Sequence, residues 1–375
     1  MNRLFLLLLL LLLSAPDIFS EEPEFPAIEE DSTDNSTSDY DGPYVIYRNG
    51  STIIKQVIKG TNDFACRSDS ISGFIEGKLI TCNINDSLSF VTIIKDTLVV
   101  ENPVYEMPEK LIAISDIEGN FGAFREFLIN NKVINSNNQW IYGRGHLVLN
   151  GDFFDRGLNV TECLWFVYHL EQEAVKNGGY VHFILGNHEI MNMNDDIRYV
   201  RNKYLKNAEL MDEDYRSFYK QNTELGRWLE TKNIIEKIGD YLFLHGGISE
   251  ELNMLNPVIE DINTKSRNYY YSSKAARQSG DTLVSTVFRS KYSPFWYRGY
   301  VEETIKEESL DLTLKIFNVN KIVVGHTIVD DVRYFYSKKV IGIDTDHAEG
   351  DTEGLLIENG SEFRVDKTGI KTLIR

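Results

Sequence analysis

The chain has 375 residues, of which 42% are hydrophobic, 12% aromatic and 26% charged, an ordinary globular profile long enough for one large domain with appendages. Its formal net charge is −18, which excludes a nucleic-acid backbone or an anionic membrane surface as its natural partner. Any phosphate-bearing ligand must therefore be attracted locally, by arginines or bound cations.

In chain order, Met1-Asn2-Arg3 precedes an apolar run at residues 4–13 and a Ser/Ala/Pro exit. That reads as a signal peptide over residues 1–20, with export to the periplasm or outside the cell, because ten apolar residues are too short for a comfortable span. No stable membrane anchor is expected after cleavage. Residues 21–43 carry nine acidic side chains, no basic ones and three prolines, the composition of a disordered linker. Residues 44–108 read as a small β module: short β-like runs broken by Asn-Gly, Lys-Gly and Asn-Asp turns, packing on the next domain or adding strands to it. Cys66 and Cys82 lie in this region, and export would let them pair; two buried free thiols are the alternative.

From residue 109 to 375 the pattern becomes strand, loop, helix, strand. Five apolar runs each end in a metal-binding side chain and a glycine. They lead into Asp116-Ile117-Glu118-Gly119-Asn120, Asn150-Gly151-Asp152-Phe153-Phe154-Asp155-Arg156-Gly157, Gly186-Asn187-His188-Glu189, His245-Gly246-Gly247 and Gly325-His326. Ligands in open α/β folds sit at such carboxyl ends of strands. Asp152 has the chemistry to bridge two cations, and Arg156 the geometry to fork onto a phosphate. Residues 191–238 read as largely helical, and residues 252–310 as a second long insertion. Both would shape a cleft above the strand ends.

This series resembles the calcineurin-like metallophosphoesterases, and within them the serine/threonine phosphoprotein phosphatase superfamily, with Leu225-Gly226-Arg227-Trp228-Leu229 and Trp296-Tyr297-Arg298-Gly299-Tyr300 resembling its Shewanella-like branch. The resemblance implies an α/β fold, a β-sandwich of two central mixed sheets flanked by helices. It also implies two divalent metal ions, with Mn or Fe favoured over Mg or Zn, held by Asp116, Asp152, Asn187, His245 and His326. Glu118 stands where the family has histidine. It either ligates through oxygen, hardening the site, or leaves the first metal site weak. The implied reaction is hydrolysis of a phosphomonoester, on a protein or a small molecule, by metal-activated hydroxide. His188 would protonate the leaving oxygen, Asp155 would orient it, and Arg156 would clamp the phosphate. Arg298 is the candidate for a second clamp, with Arg227 competing. Two other readings stay open: a nucleotide or dinucleoside-polyphosphate hydrolase, with Tyr269, Tyr270, Tyr271 and Trp296 stacking on a base, and a non-catalytic binding protein. His347, beside Asp344-Thr345-Asp346, is not expected to bind metal, and His146 and His182 read as structural.

Overall fold

The computed structural model describes residues 34–374; the expected signal peptide and most of the expected linker lie outside them. The strands β1 (Asp41–Arg48), β2 (Ser51–Lys59) and β3 (Phe64–Ser72) form an antiparallel meander. Its first turn is Asn49-Gly50, both residues at positive φ, the conformation whose twist matches a two-residue hairpin. A separate hairpin joins β4 (Leu79–Asn83) to β5 (Ser89–Ile93). Then come β6 (Val104–Tyr105), β7 (Lys110–Ile114), β8 (His146–Leu149) and β9 (Tyr180–Phe183), with helices α1 (Phe121–Asn130) and α2 (Val160–Lys176) as the crossovers between β7, β8 and β9. Three further helices follow, α3 (Asn187–Met193), α4 (Asn202–Leu210) and α5 (Glu224–Glu230). The remaining strands are β10 (Ile235–Ile238), β11 (Tyr241–Leu244), β12 (Lys321–Val324), β13 (Arg333–Phe335), β14 (Val340–Gly342), β15 (Glu353–Glu358), β16 (Ser361–Asp366) and β17 (Lys371–Leu373).

Two six-stranded mixed sheets organise the molecule, ordered β13-β14-β12-β11-β10-β6 and β17-β16-β15-β7-β8-β9. Parallel sheets need both faces covered, which is why their strands are short continuous apolar runs. One face of each sheet meets the other through Leu111, Ala113, Val148 and Ile184 on one side and Phe243, Val323 and Ile341 on the other, all fully buried. The opposite faces pack on helices: every residue from Val160 to Tyr168 of α2 is buried. Each such aliphatic or aromatic side chain contributes roughly 1.5–3 kcal/mol. In this sandwich β7, β8 and β9 run parallel in one sheet, and β11, β12 and β14 run parallel in the other.

β6 adds to a central sheet beside β10, while β1 packs on α2 and α5, with the Trp165 indole donating to the Pro43 carbonyl at 2.7 Å. Three expectations need correction. The two cysteines are unpaired: Cys66 is on β3 and Cys82 on β4, in different sheets, where the Cys82 thiol lies buried 3.4 Å from the Gly42 carbonyl. The acidic linker does not extend to Pro43, because β1 starts at Asp41 and residues before it dock. Asp34 accepts from the Asn202 amide at 2.8 Å and Ser36 from the Lys203 amide at 2.9 Å, satisfying donors that α4 cannot pair internally. The stretch to Ile238 is not helical throughout; Ile235–Ile238 turns at Gly239 and pairs antiparallel with Tyr241–Leu244, so tertiary pairing overrides the local pattern. Among the described residues no helix is long and apolar enough to cross a membrane.

Candidate active site

Five strand ends deliver the expected side chains to one place, where the two sheets meet. Asp116 follows β7, Asp152 follows β8, Asn187 opens α3 after β9, His245 follows β11 and His326 follows β12. The turns that do this are strained. Asp116, Glu118, Asp152, Asp155, Arg156 and His326 all have φ between 46° and 68°. The left-handed region costs a non-glycine residue on the order of 1 kcal/mol. Glycines allow the close approach: a Cβ on Gly186 would lie 2.2 Å from Asp152 Oδ1, and one on Gly325 2.0 Å from Ser115 Oγ.

Asp152 is the hub. Its Oδ2 lies 2.9 Å from His245 Nε2 and 3.8 Å from His188 Nε2, and its Oδ1 accepts from the His188 amide at 2.9 Å. The inner end of the Asn187 amide is 3.0 Å from His245 Nε2, 2.8 Å from His326 Nδ1 and 3.2 Å from Asp152 Oδ2. Asp116 Oδ1 lies 4.0 Å from His245 Nε2, and its Oδ2 accepts from the Ser115 hydroxyl and from the His326 amide. Ligand atoms of Asp152, His245 and His326 fall within 4.8 Å of one another, and those of Glu118, Asp152 and His188 form a second such group. The two groups share Asp152, as a carboxylate bridging two cations would.

The donor set fits metal ions. His245 Nδ1 donates to the Asn150 carbonyl at 2.8 Å, which fixes the tautomer and turns the lone pair of Nε2 toward Asp152 and Asn187. The Nε2 lone pair and Asp152 Oδ2 then face each other at 2.9 Å, an arrangement stable only with a cation or a proton between them. His326 Nε2 is buried without a hydrogen-bond partner. The protein's own charges express the same imbalance. Burial would lower the His245 pKa, but Asp152 and Asp116 outweigh it and hold the ring at about 10. Burial raises Asp116 to about 6, against the pull of His245.

His188 lies beside this cluster and is held from behind. Its Nδ1 donates to Asp155 Oδ2 at 2.6 Å; Asp155 also accepts from Asn192 at 3.0 Å, and Asn192 accepts from the Tyr215 hydroxyl at 2.9 Å. Burial opposes protonation of this ring, yet Asp152, Asp155 and Glu118 raise it to about 9. Arg156 ion-pairs with Glu118 and lies over the Tyr199 ring, 5.4 Å from its centroid. Glu118 thus has both a guanidinium and the edge of the carboxylate cluster as neighbours. Burial pushes its carboxyl up to about 8 despite Arg156. Arg298 donates to the His326 carbonyl at 2.8 Å and to Thr327 Oγ1 at 3.3 Å, so it lies at the site. Arg227 does not: its guanidinium lies over the Tyr47 and Phe74 rings of the N-terminal module.

The remaining expectations sort themselves by contact. Tyr270 is buried with its hydroxyl on the Lys232 carbonyl, and Tyr271 bonds the Gly226 carbonyl, so this pair packs the insertion rather than offering a stacking face. His347 donates to the Ser115 carbonyl at 2.7 Å, bracing the end of β7, and His182 joins Glu236 to His146. Besides Asn192 and Tyr215 behind Asp155, three residues have a place here to which the sequence reading gave no role. Asp344 follows β14 and is buried, and burial, Asp116 and Glu118 push its carboxyl well above the usual range. The sequence carries part of the signal, a sixth apolar strand running into aspartate, without the glycine that marks the other five turns. Glu189 accepts from the Gly186, Asp152 and Phe153 amides at 2.7, 2.9 and 2.7 Å, tying two of the loops together. Tyr199, 5.2 Å from the His188 ring, sits in a loop with no motif to mark it.

Comparisons with known proteins agree with this geometry. The family model described as calcineurin-like phosphoesterase matches residues 109–330. Shewanella-like protein phosphatase 2 of Arabidopsis thaliana is 27% identical over 298 residues, 67% of this chain and 74% of that one. Shewanella-like protein phosphatase 1 of Plasmodium berghei is 31% identical over 228 residues, 58% and 61% of the two chains. Among solved structures, the cold-active protein-tyrosine phosphatase of a psychrophilic Shewanella species superposes with a TM-score of 0.81 at 35% identity, covering 90% of this chain and all of that one. With a family model spanning all but one of the strand ends that form the site, the chain belongs to the calcineurin-like phosphoesterases and is a phosphatase.

Proposed function

We propose that the chain removes phosphate from phosphoproteins, phosphotyrosine among their modified residues, as a two-metal phosphomonoesterase. The observation that carries this reading is the convergence of Asp152, Asn187, His245 and His326 beside the Asp155–His188 pair. The Shewanella relative, described as a protein-tyrosine phosphatase, supports the substrate class. Asp116, Asp152, Asn187, His245 and His326 would hold the metals, with Glu118 within reach of Asp152 as a further oxygen donor. Divalent ions held there, Mn, Mg or Fe before Zn given the oxygen-rich donor set, would supply a nucleophile at neutral pH and offset phosphoryl charge.

The chain's own residues do the rest. Arg156, exposed on the substrate side, turns its fork from Glu118 onto the phosphoryl oxygens. His188 carries its proton at Nε2, because Nδ1–H is committed to Asp155, and delivers it to the departing oxygen. Asn192 and Tyr215 keep Asp155 in place for that role. Arg298 steadies the His326 turn and adds positive charge there. The non-catalytic reading has no use for a braced Asp155–His188 pair; of the four aromatics offered for base stacking, Tyr270 and Tyr271 are packed, while Trp296 stands edge-on to His326, 5.7 Å between ring centres. The test is turnover of a phosphotyrosine peptide, a phosphoserine peptide and ATP by protein stripped with a chelator and reloaded with single metals. A phosphopeptide should be cleaved at least about 100-fold faster than ATP, and only after reloading; faster cleavage of ATP would sink the assignment.

A further inference from the structure

Arg156 is held from two sides, by partners of different chemistry. Glu118 takes the guanidinium through its N–H groups, the same donors that must fork onto a phosphate. Tyr199 offers it a ring face instead: the guanidinium carbon lies 5.4 Å from the ring centroid, within cation–π range. A ring face attracts the delocalised charge without claiming particular N–H donors, so those stay available to a phosphate. Tyr199 also fixes the root of this side chain. The Arg156 amide, on a residue at φ 54°, donates to the Tyr199 carbonyl at 3.1 Å. The Tyr199 ring lies 5.2 Å from that of His188, so one half-buried side chain adjoins both the clamp and the acid. The loop that presents it is anchored at both ends. Asn194 donates to the Tyr270 carbonyl at 2.7 Å and accepts from the Ser273 amide at 2.6 Å, while the Asn202 amide donates to Asp34 at 2.8 Å. Between these ends Ile197 and Val200 pack on the core.

We propose that Tyr199 is the positioning residue for Arg156: its ring keeps the guanidinium at the site while the side chain exchanges Glu118 for the phosphoryl group. The inference rests on the phosphate-clamp role given to Arg156 above. Without the ring, Glu118 would hold the guanidinium unopposed, and a phosphate would have to compete for its N–H groups. In this role Tyr199 moves no proton and acts on the substrate only through Arg156.

The test reads KM and kcat for a phosphotyrosine and a phosphoserine peptide, and the inhibition constant of inorganic phosphate, on metal-loaded protein. Tyr199→Leu should raise KM for both peptides, and weaken phosphate inhibition, by about tenfold, the scale of a partly desolvated cation–π contact. The clamp grips the phosphoryl group before and during the reaction, so kcat should stay within about threefold of the parent. Tyr199→Phe keeps the ring and should hold every value within about twofold. Pentafluorophenylalanine at the same position keeps the shape but withdraws charge from the ring face, so it should match the Leu variant with the fold undisturbed. In an Arg156→Ala background, Tyr199→Leu should cost nothing further. A loss confined to kcat or to one peptide, with phosphate inhibition unchanged, would tie Tyr199 to His188 or to the leaving group and overturn the inference. So would losses that add in the double variant, or a fluorinated ring that behaves as Phe does. If Arg156→Ala alone left KM and phosphate inhibition unchanged, the clamp role itself would fall, and this inference with it.

Discussion

Two groups of buried carboxylates in this fold are neutralised in different ways. On and around α2 each acid meets an ammonium: Glu171 pairs with Lys95 and Lys232, Glu101 pairs with Lys232, and Asp41 and Glu162 feel Lys203. At the strand ends Asp116, Asp152 and Asp344 meet one another, two imidazoles and an amide. A buried ion pair completes itself, and removing one partner strands the other. The second group is completed only from outside. The same residue type, at the same depth, is therefore structural in one place and functional in the other, and the partner's chemistry is what separates them.

The strongest way to break that contrast is Asp152→Asn, an isosteric change at the residue both ligand groups share. Two-metal assistance supplies several kcal/mol, so turnover should fall about 10³-fold or more. Elemental analysis should find fewer than two metals per chain. Near-normal turnover with both metals retained would erase the distinction. His188→Asn sharpens it from the other side, because His188 belongs to the site without being expected to hold a cation. Turnover should drop by about 10²–10⁴, the usual size of proton-transfer assistance, with the metal content unchanged. A variant that loses metal instead would move His188 into the ligand set.

How much of this could be read from sequence follows the same divide. The strand ends announce themselves because each is local: an apolar run, a turn and a donor lie within ten residues, and five such runs identified Asp116, Asp152, Asn187, His245 and His326. Asp344 ends an apolar run too, but the turn after it, Thr345-Asp346-His347, lacks the glycine that accompanies the donor at the other five, so the same pattern does not single it out. What sequence hides is pairing across distance. Nothing local says that Ile235–Ile238 is a strand, because only its partner Tyr241–Leu244 makes it one. Nothing local says that Cys66 and Cys82 belong to different sheets. The docking of Asp34 and Ser36 on α4 is equally invisible, since their composition argues for solvent and the helix's unpaired amides argue against it. Tyr199 and Asn192 serve the site only through Arg156, His188 and Asp155, so no spacing rule reaches them.

The smallest and most discriminating effect lies at Glu162, where the compensation around α2 is incomplete. Its carboxylate is fully buried, and burial, with Asp41 adding to it and Lys203, the Glu162 amide and the Asn159 side chain opposing it, raises the side chain to about 8 from an ordinary 4.5. The buried thiols of Cys82 and Cys163 and the phenols of Tyr204 and Tyr219 are its other titratable neighbours, and burial pushes all four above their ordinary values, outside the window of interest. A carboxyl held above its unfolded pKa stabilises the fold in its protonated form. That contribution is complete below about pH 4.5 and is lost as the pH rises through 8. Glu162→Gln keeps the shape and removes the charge, so it should flatten the slope. The gain should be on the order of 1 kcal/mol or more at pH 8.5, about 2 °C in midpoint for a domain of this size, and should fade toward pH 5. Thermal unfolding of both proteins at the two pH values measures it. If the gain were equal at both, or if the variant were weaker at pH 8.5, Lys203 would be holding Glu162 ionised and the α2 group would be compensated throughout.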